Sequence, residues 1–162
     1  MKNPAEIKAL ASERLEEAKI LCESGRYDGA FYLAGYSIEL TLKAKICERF
    51  GIDNLFDGVK SEKSMSEVKQ KLKTHDISQL LIFCGLSKKL QTAIANRNTV
   101  LMETYGYLIA GTQRNSTAMV DTEWSEQVRY LPVGSQQEQY VKRFVALLQD
   151  NQNGLLQWIE NN

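Results

Sequence analysis

The stretch from Tyr27 to Phe50, set between Gly25 and Gly51, constrains this chain more than any other. Drawn as a helix, it carries Ala30, Phe31, Leu33, Ala34, Ile38, Leu40, Leu42, Ala44 and Ile46 on nearly every side. A helix that is apolar all round is buried, so this one is expected to be the central rod of the fold. Gly29, Ala30, Ala34, Gly35 and Ser37 are small and let a second helix approach closely. That neighbour is predicted just upstream, from Pro4 to Ser24. Asn3 suits its cap and Pro4 its first position. Ile7, Leu10, Ala11, Leu15, Ala18, Leu21 and Cys22 recur at three- and four-residue steps, while Lys8, Glu13, Glu16, Glu17 and Lys19 take the wet side. The turn at Gly25 is so short that the two helices must run antiparallel, side by side.

The remainder reads as shorter helices. A polar connection, expected to be mobile, covers residues 52–66 and includes Gly58 and the charged run 60–64. A short helix is predicted from Met65 to Lys73, and another from Asp76 to Gly85 carrying Ile77, Leu80, Leu81 and Phe83. One helix is expected over Ser87 to Tyr105, capped by Ser87. Residues 106–133 are the least regular, with Gly111, Asn115, Ser116 and Thr117 reading as loop and Trp124 to Tyr130 as one or two helical turns. The final helix is expected to begin after Gly134, where Ser135 and Glu138 have capping-box spacing, and to break or kink at Asn153-Gly154. The fold class is therefore all-α: an antiparallel bundle of four to five helices with short additional helices, in a single domain over residues 1–162. A chain of 162 residues fits one domain with a real core.

Charge and cysteine content narrow the function classes. Twenty basic and twenty acidic residues cancel. A protein that binds nucleic acid mainly by charge carries a positive excess, which leaves only a local patch open here. Cys22, Cys47 and Cys84 are widely spaced and sit in apolar runs, so buried free thiols are expected rather than a disulfide framework or a zinc knuckle. With one histidine, His75, a catalytic zinc site is not expected, and neither GxxxxGK[ST] nor GxGxxG occurs. No cofactor is implied. The opening MKNPAEIKAL lacks the apolar core of a leader, and no run reaches the ~18 apolar residues of a membrane span, so a cytoplasmic protein without membrane contact is expected.

One segment carries a resemblance. Gly25-Arg26-Tyr27, then Ala30-Phe31-Tyr32-Leu33-Ala34-Gly35-Tyr36, then Glu39 and Leu42-Lys43-Ala44, resembles the first helical pair of HEPN domains. The run from Lys73-Thr74-His75-Asp76 to Leu81 is similar to the His-containing start of a later helix in that family, and Trp124-Ser125 to Arg129-Tyr130 to the segment before its last helix. The resemblance implies a bundle of four or five helices that pairs into a homodimer. It further implies either a binding role, with a nucleotide or RNA or with a nucleotidyltransferase partner protein, or a metal-independent ribonuclease of a toxin–antitoxin or phage-defence system. The ribonuclease members use an Arg followed four to six residues later by a His. Here no Arg precedes His75 at that spacing, and Arg97-Asn98 is followed by Thr99 to Tyr105 without a His. No catalytic residue is therefore assigned, and whether the chain is an enzyme stays open, with the non-catalytic reading favoured.

Six residues are candidates for ligand contact: Glu39, Lys43, His75, Arg97, Arg129 and Tyr130. Glu39 and Lys43, four apart on a helix, suit a surface ion pair. Because that helix is apolar on nearly all sides, burial of one or both is the alternative, and a buried charge needs a partner, for which Arg97, Arg129 and Tyr130 are candidates. His75 beside Asp76 suits either a cap that fixes chain entry or a phosphate contact at a helix start. Arg97 suits a helix surface, a polar ligand contact, or a ribonuclease with an unusual proton carrier. Tyr27, Tyr32 and Tyr36 suit packing, or stacking on a base.

Overall fold

The computed structural model describes residues 3–55, 63–109 and 123–162. The described residues form eight α-helices and one 3-10 helix, with no strand among them. The expected loop at Gly111, Asn115, Ser116 and Thr117 lies outside the described residues, as do residues 56–62 of the polar connection.

Helix α1 (Pro4–Glu23) starts where the sequence places it, with Asn3 Oδ1 accepting from the Glu6 amide at 2.9 Å. Gly25, at φ +71°, turns the chain into α2 (Tyr27–Phe50), and Gly51, at φ +63°, closes that helix. The left-handed region costs a residue without a side chain little, which is why both stops are glycine. The two helices pack side by side along their length, and α4 (Ile77–Phe83), the 3-10 helix (Glu126–Tyr130), α7 (Glu138–Leu148) and α8 (Leu155–Asn161) also pack on α2. Helix α2 is thus the central rod: Ala30, Phe31, Ala34, Ile38, Leu42, Ala44 and Ile46 are all fully buried.

Helix α3 (Lys63–Leu72) begins two residues before the expected Met65, so Lys63 and Ser64 are helical rather than loop. Helix α4 (Ile77–Phe83) is capped by Asp76, whose side chain accepts from the Gln79 amide at 3.1 Å. The single helix expected over Ser87 to Tyr105 is two: α5 (Ser87–Ala95) and α6 (Thr99–Leu108). Arg97 stands between them at φ +64°, and Asn98 caps α6 by accepting from the Leu101 amide at 3.0 Å. The asparagine competes with the helical backbone for that amide and restarts the chain. Ser87 is not a cap either; Leu86 holds that position without a side-chain bond.

The 3-10 helix spans Glu126–Tyr130. Helix α7 (Glu138–Leu148) has Gln137 at its cap, and Ser135 donates its hydroxyl to the Pro132 carbonyl instead of forming a capping box. The entry to α7 is fixed from elsewhere. Asp28, in the first turn of α2, accepts from the Gly134 amide at 2.6 Å and the Gln136 amide at 2.8 Å. The final helix does break near Asn153-Gly154, and α8 (Leu155–Asn161) follows. Asp150 organises that break, accepting from the amides of Gln152 and Asn153.

Rings from three helices meet at one end of the core. Phe31 of α2 lies 5.3 Å from Phe144 of α7, and Tyr107 of α6 lies 4.4 Å from Tyr140 and 4.8 Å from Phe144. Burial pushes the Tyr107 phenol up to about 12. At the other side Lys8 of α1 bridges Glu48 of α2 and Glu160 of α8, both at 2.7 Å. All three cysteines are free and buried, as expected.

Candidate functional site

Glu39 and Lys43 are not a surface pair. Both sit inside the bundle, 1% and 2% exposed, and Lys43 Nζ donates to Glu39 Oε1 at 2.7 Å. The helical four-residue spacing makes the contact, and the surrounding of α2 by other helices buries it. Glu39 takes His75 as its second partner, rather than Arg97, Arg129 or Tyr130. His75 Nδ1 donates to the same Glu39 oxygen at 2.9 Å, while Glu39 Oε2 has no hydrogen-bond partner among the described residues. Asp76 ends the preceding segment as the α4 cap, and this brings His75 down onto α2. Of the two readings of His75-Asp76, the structure has the cap: Asp76 caps α4 and His75 is tied to Glu39 at the chain entry.

A carboxylate can only accept, so the imidazole carries a hydrogen on Nδ1. The His75 side chain is 48% exposed and lines a cleft of about 370 Å³. The start of α4 forms one wall, with Thr74, Asp76 and Ser78. Leu108 and Ile109 at the end of α6, and Glu123 to Glu126, form the others. The cleft is rich in acceptors, and none of its described lining residues is a lysine or arginine.

Trp124 and Glu126 were not among the residues singled out as candidates. Trp124 is 3% exposed and donates its indole N–H to the Tyr32 carbonyl at 2.9 Å. Its ring covers Gly35 so closely that a Cβ there would lie 2.2 Å from the indole. The paired signal in the sequence is a glycine in a helix interior and a tryptophan in an irregular segment, which pattern alone does not connect. Glu126 heads the 3-10 helix, and its carboxyl is held below the usual carboxylate range, chiefly by the Gln127 side chain, with a smaller contribution from the charge of His75.

Arg129 and Tyr130 lie one turn further along the same 3-10 helix. The Arg129 guanidinium carbon sits 4.8 Å from the Tyr130 ring centre and 5.9 Å from that of Tyr32, and Nη1 donates to the Tyr32 hydroxyl at 3.3 Å. Tyr32 and Tyr36 stack at 6.0 Å with 12° between their planes. Arg97 is not part of this assembly; it stands exposed on the α5–α6 turn. Among the described residues no group of three or more His, Cys, Asp and Glu side chains is placed to hold a metal ion. No described helix is long and apolar enough to cross a membrane.

Neither the curated proteins nor the solved structures contain a match to the chain. A family model does match it. Residues 6–56, which comprise most of α1, all of α2 and the turn that follows, fit the HEPN domain, so the chain is HEPN-like over the helical pair that carries Glu39 and Lys43.

Proposed function

We propose that the chain is a non-catalytic HEPN-like binding module whose cleft at His75 receives the N–H-bearing edge of a nucleotide-like ligand. The observation that carries this is the Glu39–His75 contact. It fixes the imidazole in the wall of a cleft that also carries the carboxylates of Asp76, Glu123 and Glu126. Such a set suits exocyclic amino groups, the donors that carboxylates read on bases. It repels a phosphate. A phosphodiester transition state needs a cation at the phosphate, and the described cleft walls carry no lysine or arginine. The family likeness, and a net charge that opposes self-association little, support a homodimer or a complex with a nucleotidyltransferase partner.

One feature favours the rival reading, a divergent ribonuclease: the His75 imidazole is half-exposed in a cleft. RNA cleavage in EDTA, with wild type, Arg97→Ala and His75→Ala, separates the two. No cleavage is expected. Calorimetric titration is expected to show AMP, CMP and GMP binding in preference to UMP, which lacks the amino group, with His75→Ala weakening binding by about tenfold. Metal-independent cleavage by wild type that disappears in Arg97→Ala or His75→Ala would overturn the proposal.

A further inference from the structure

A base edge in the His75 cleft leaves its phosphate without a partner there, and the 3-10 helix carries a counter-charge to answer it. Residues three apart in a 3-10 helix eclipse, so Arg129 shares a face with Glu126, which lines the cleft. Arg129 is exposed and makes no ion pair with a carboxylate among the described residues. It is nonetheless held in place. Tyr32 accepts its hydrogen bond, and the Arg129 guanidinium carbon lies 5.9 Å from the Tyr32 ring centre and 4.8 Å from that of Tyr130. Trp124, wedged on Gly35 and bonded to the Tyr32 carbonyl, anchors the start of the same segment. Tyr130 is 70% exposed.

We infer that Arg129 and Tyr130 form a phosphate-and-base platform for single-stranded RNA beside the His75 cleft. The guanidinium takes a backbone phosphate, and the neighbouring unstacked base lies on the Tyr130 ring. A planar guanidinium and an aromatic face are the two elements by which single strands are held without a large positive field. A chain of zero net charge needs such a fixed local cation more than a basic protein does. The inference rests on the nucleotide-binding reading above and adds a second subsite to it.

The test is fluorescence anisotropy with a fluorescein-labelled ten-residue oligoadenylate, at low salt, on the full chain. Unlabelled AMP and an RNA duplex serve as competitors. Arg129→Ala and Tyr130→Ala are each expected to weaken binding by about tenfold, with the duplex competing poorly. Lys89→Ala removes the same charge from the exposed start of α5 and is expected to bind like wild type. Both platform side chains are solvent-exposed, and unchanged circular dichroism and Tm would show that the variants fold. AMP displacing the label as well as oligoadenylate does would assign the platform to a free nucleotide instead of a strand and overturn the RNA source. Wild-type affinity in Arg129→Ala and Tyr130→Ala would overturn the platform while leaving the cleft reading standing. Failure of wild type to bind either RNA or AMP would overturn both.

Discussion

The indole of Trp124 lies on the backbone of Gly35, in space that a single methyl group would occupy. The pair joins the middle of the central helix to a segment ninety residues away in sequence, and the Trp124–Tyr32 hydrogen bond fixes its orientation. Gly35→Ala is expected to destabilise the protein by about 1–3 kcal/mol, since overpacking forces a ring out of place rather than filling a void. Urea denaturation followed by tryptophan emission checks this. A native-state red shift is expected as Trp124 loses its cover, and unchanged stability and emission would show that the ring shifts without cost.

Glu39 and Lys43 make a buried ion pair, and a broken pair costs more than an absent one. Glu39→Gln leaves a buried ammonium without its carboxylate and is expected to cost about 3 kcal/mol. Adding Lys43→Met is expected to restore most of that loss. The urea midpoints of wild type, both single variants and the double variant measure the coupling. Additive single effects would contradict the contact.

Arg97 holds a left-handed backbone conformation that suits glycine. For a residue with a Cβ that conformation costs about 1–2 kcal/mol, against about 0.5–1 kcal/mol of extra chain entropy lost by glycine. Arg97→Gly is therefore expected to raise Tm by about 2 °C, as read by calorimetry. A fall in Tm would mean that the arginine side chain contributes stability at this turn.

Burial pushes the Cys47 thiol up to about 11 and the Cys84 thiol up to about 12. Cys84 also donates its S–H to the Leu42 carbonyl at 3.3 Å. Because the thiolate is the reactive species, the native protein is expected to react with a disulfide reagent at pH 8 only as fast as it opens. Three equivalents should appear promptly in urea. Rapid native labelling of Cys84 would contradict its burial.

Arg143 of α7 grips Glu103 of α6 through two bonds, 2.7 and 2.6 Å, and the first effect of that grip is to hold the Glu103 carboxyl below the usual carboxylate range. A folded-state value below the unfolded one adds stability that is complete above the unfolded value and vanishes as pH falls through the folded value. The stability difference between wild type and Arg143→Ala is thus expected to be constant from pH 7 to 5 and to shrink below about 4.5. Urea titrations at pH 7, 5, 4 and 3 show this directly, and a difference independent of pH would place the effect in packing.

The amino-terminal half of the fold was open to reading because its signals are local. Asn3, Pro4, Gly25 and Gly51 act on their own neighbours, and the apolar girth of α2 needs no knowledge of what surrounds it. Misreadings fall where a distant group decides. Ser135 has the spacing of a capping box, yet Asp28, more than a hundred residues earlier, holds the amides on either side of it. The break at Arg97 turns on a cap made by Asn98, which competes against a run otherwise suited to one long helix. In the site, Glu39, Lys43 and His75 were each visible, but their junction depends on where α4 docks. The wedge of Trp124 on Gly35 joins two elements that no periodicity relates.

The placement of α2 has one more effect, on how this molecule can be divided. Phe31 faces Phe144, Gly35 faces Trp124, Leu42 receives the Cys84 thiol, and Lys45 reaches the Glu160 carbonyl. Each of those partners lies beyond residue 56, where the family likeness stops. The recognisable third of the chain is therefore an axle without its bearings: severed from the rest, it would turn its oiliest surface to water, and recognition by sequence and independence in solution would part company at that cut.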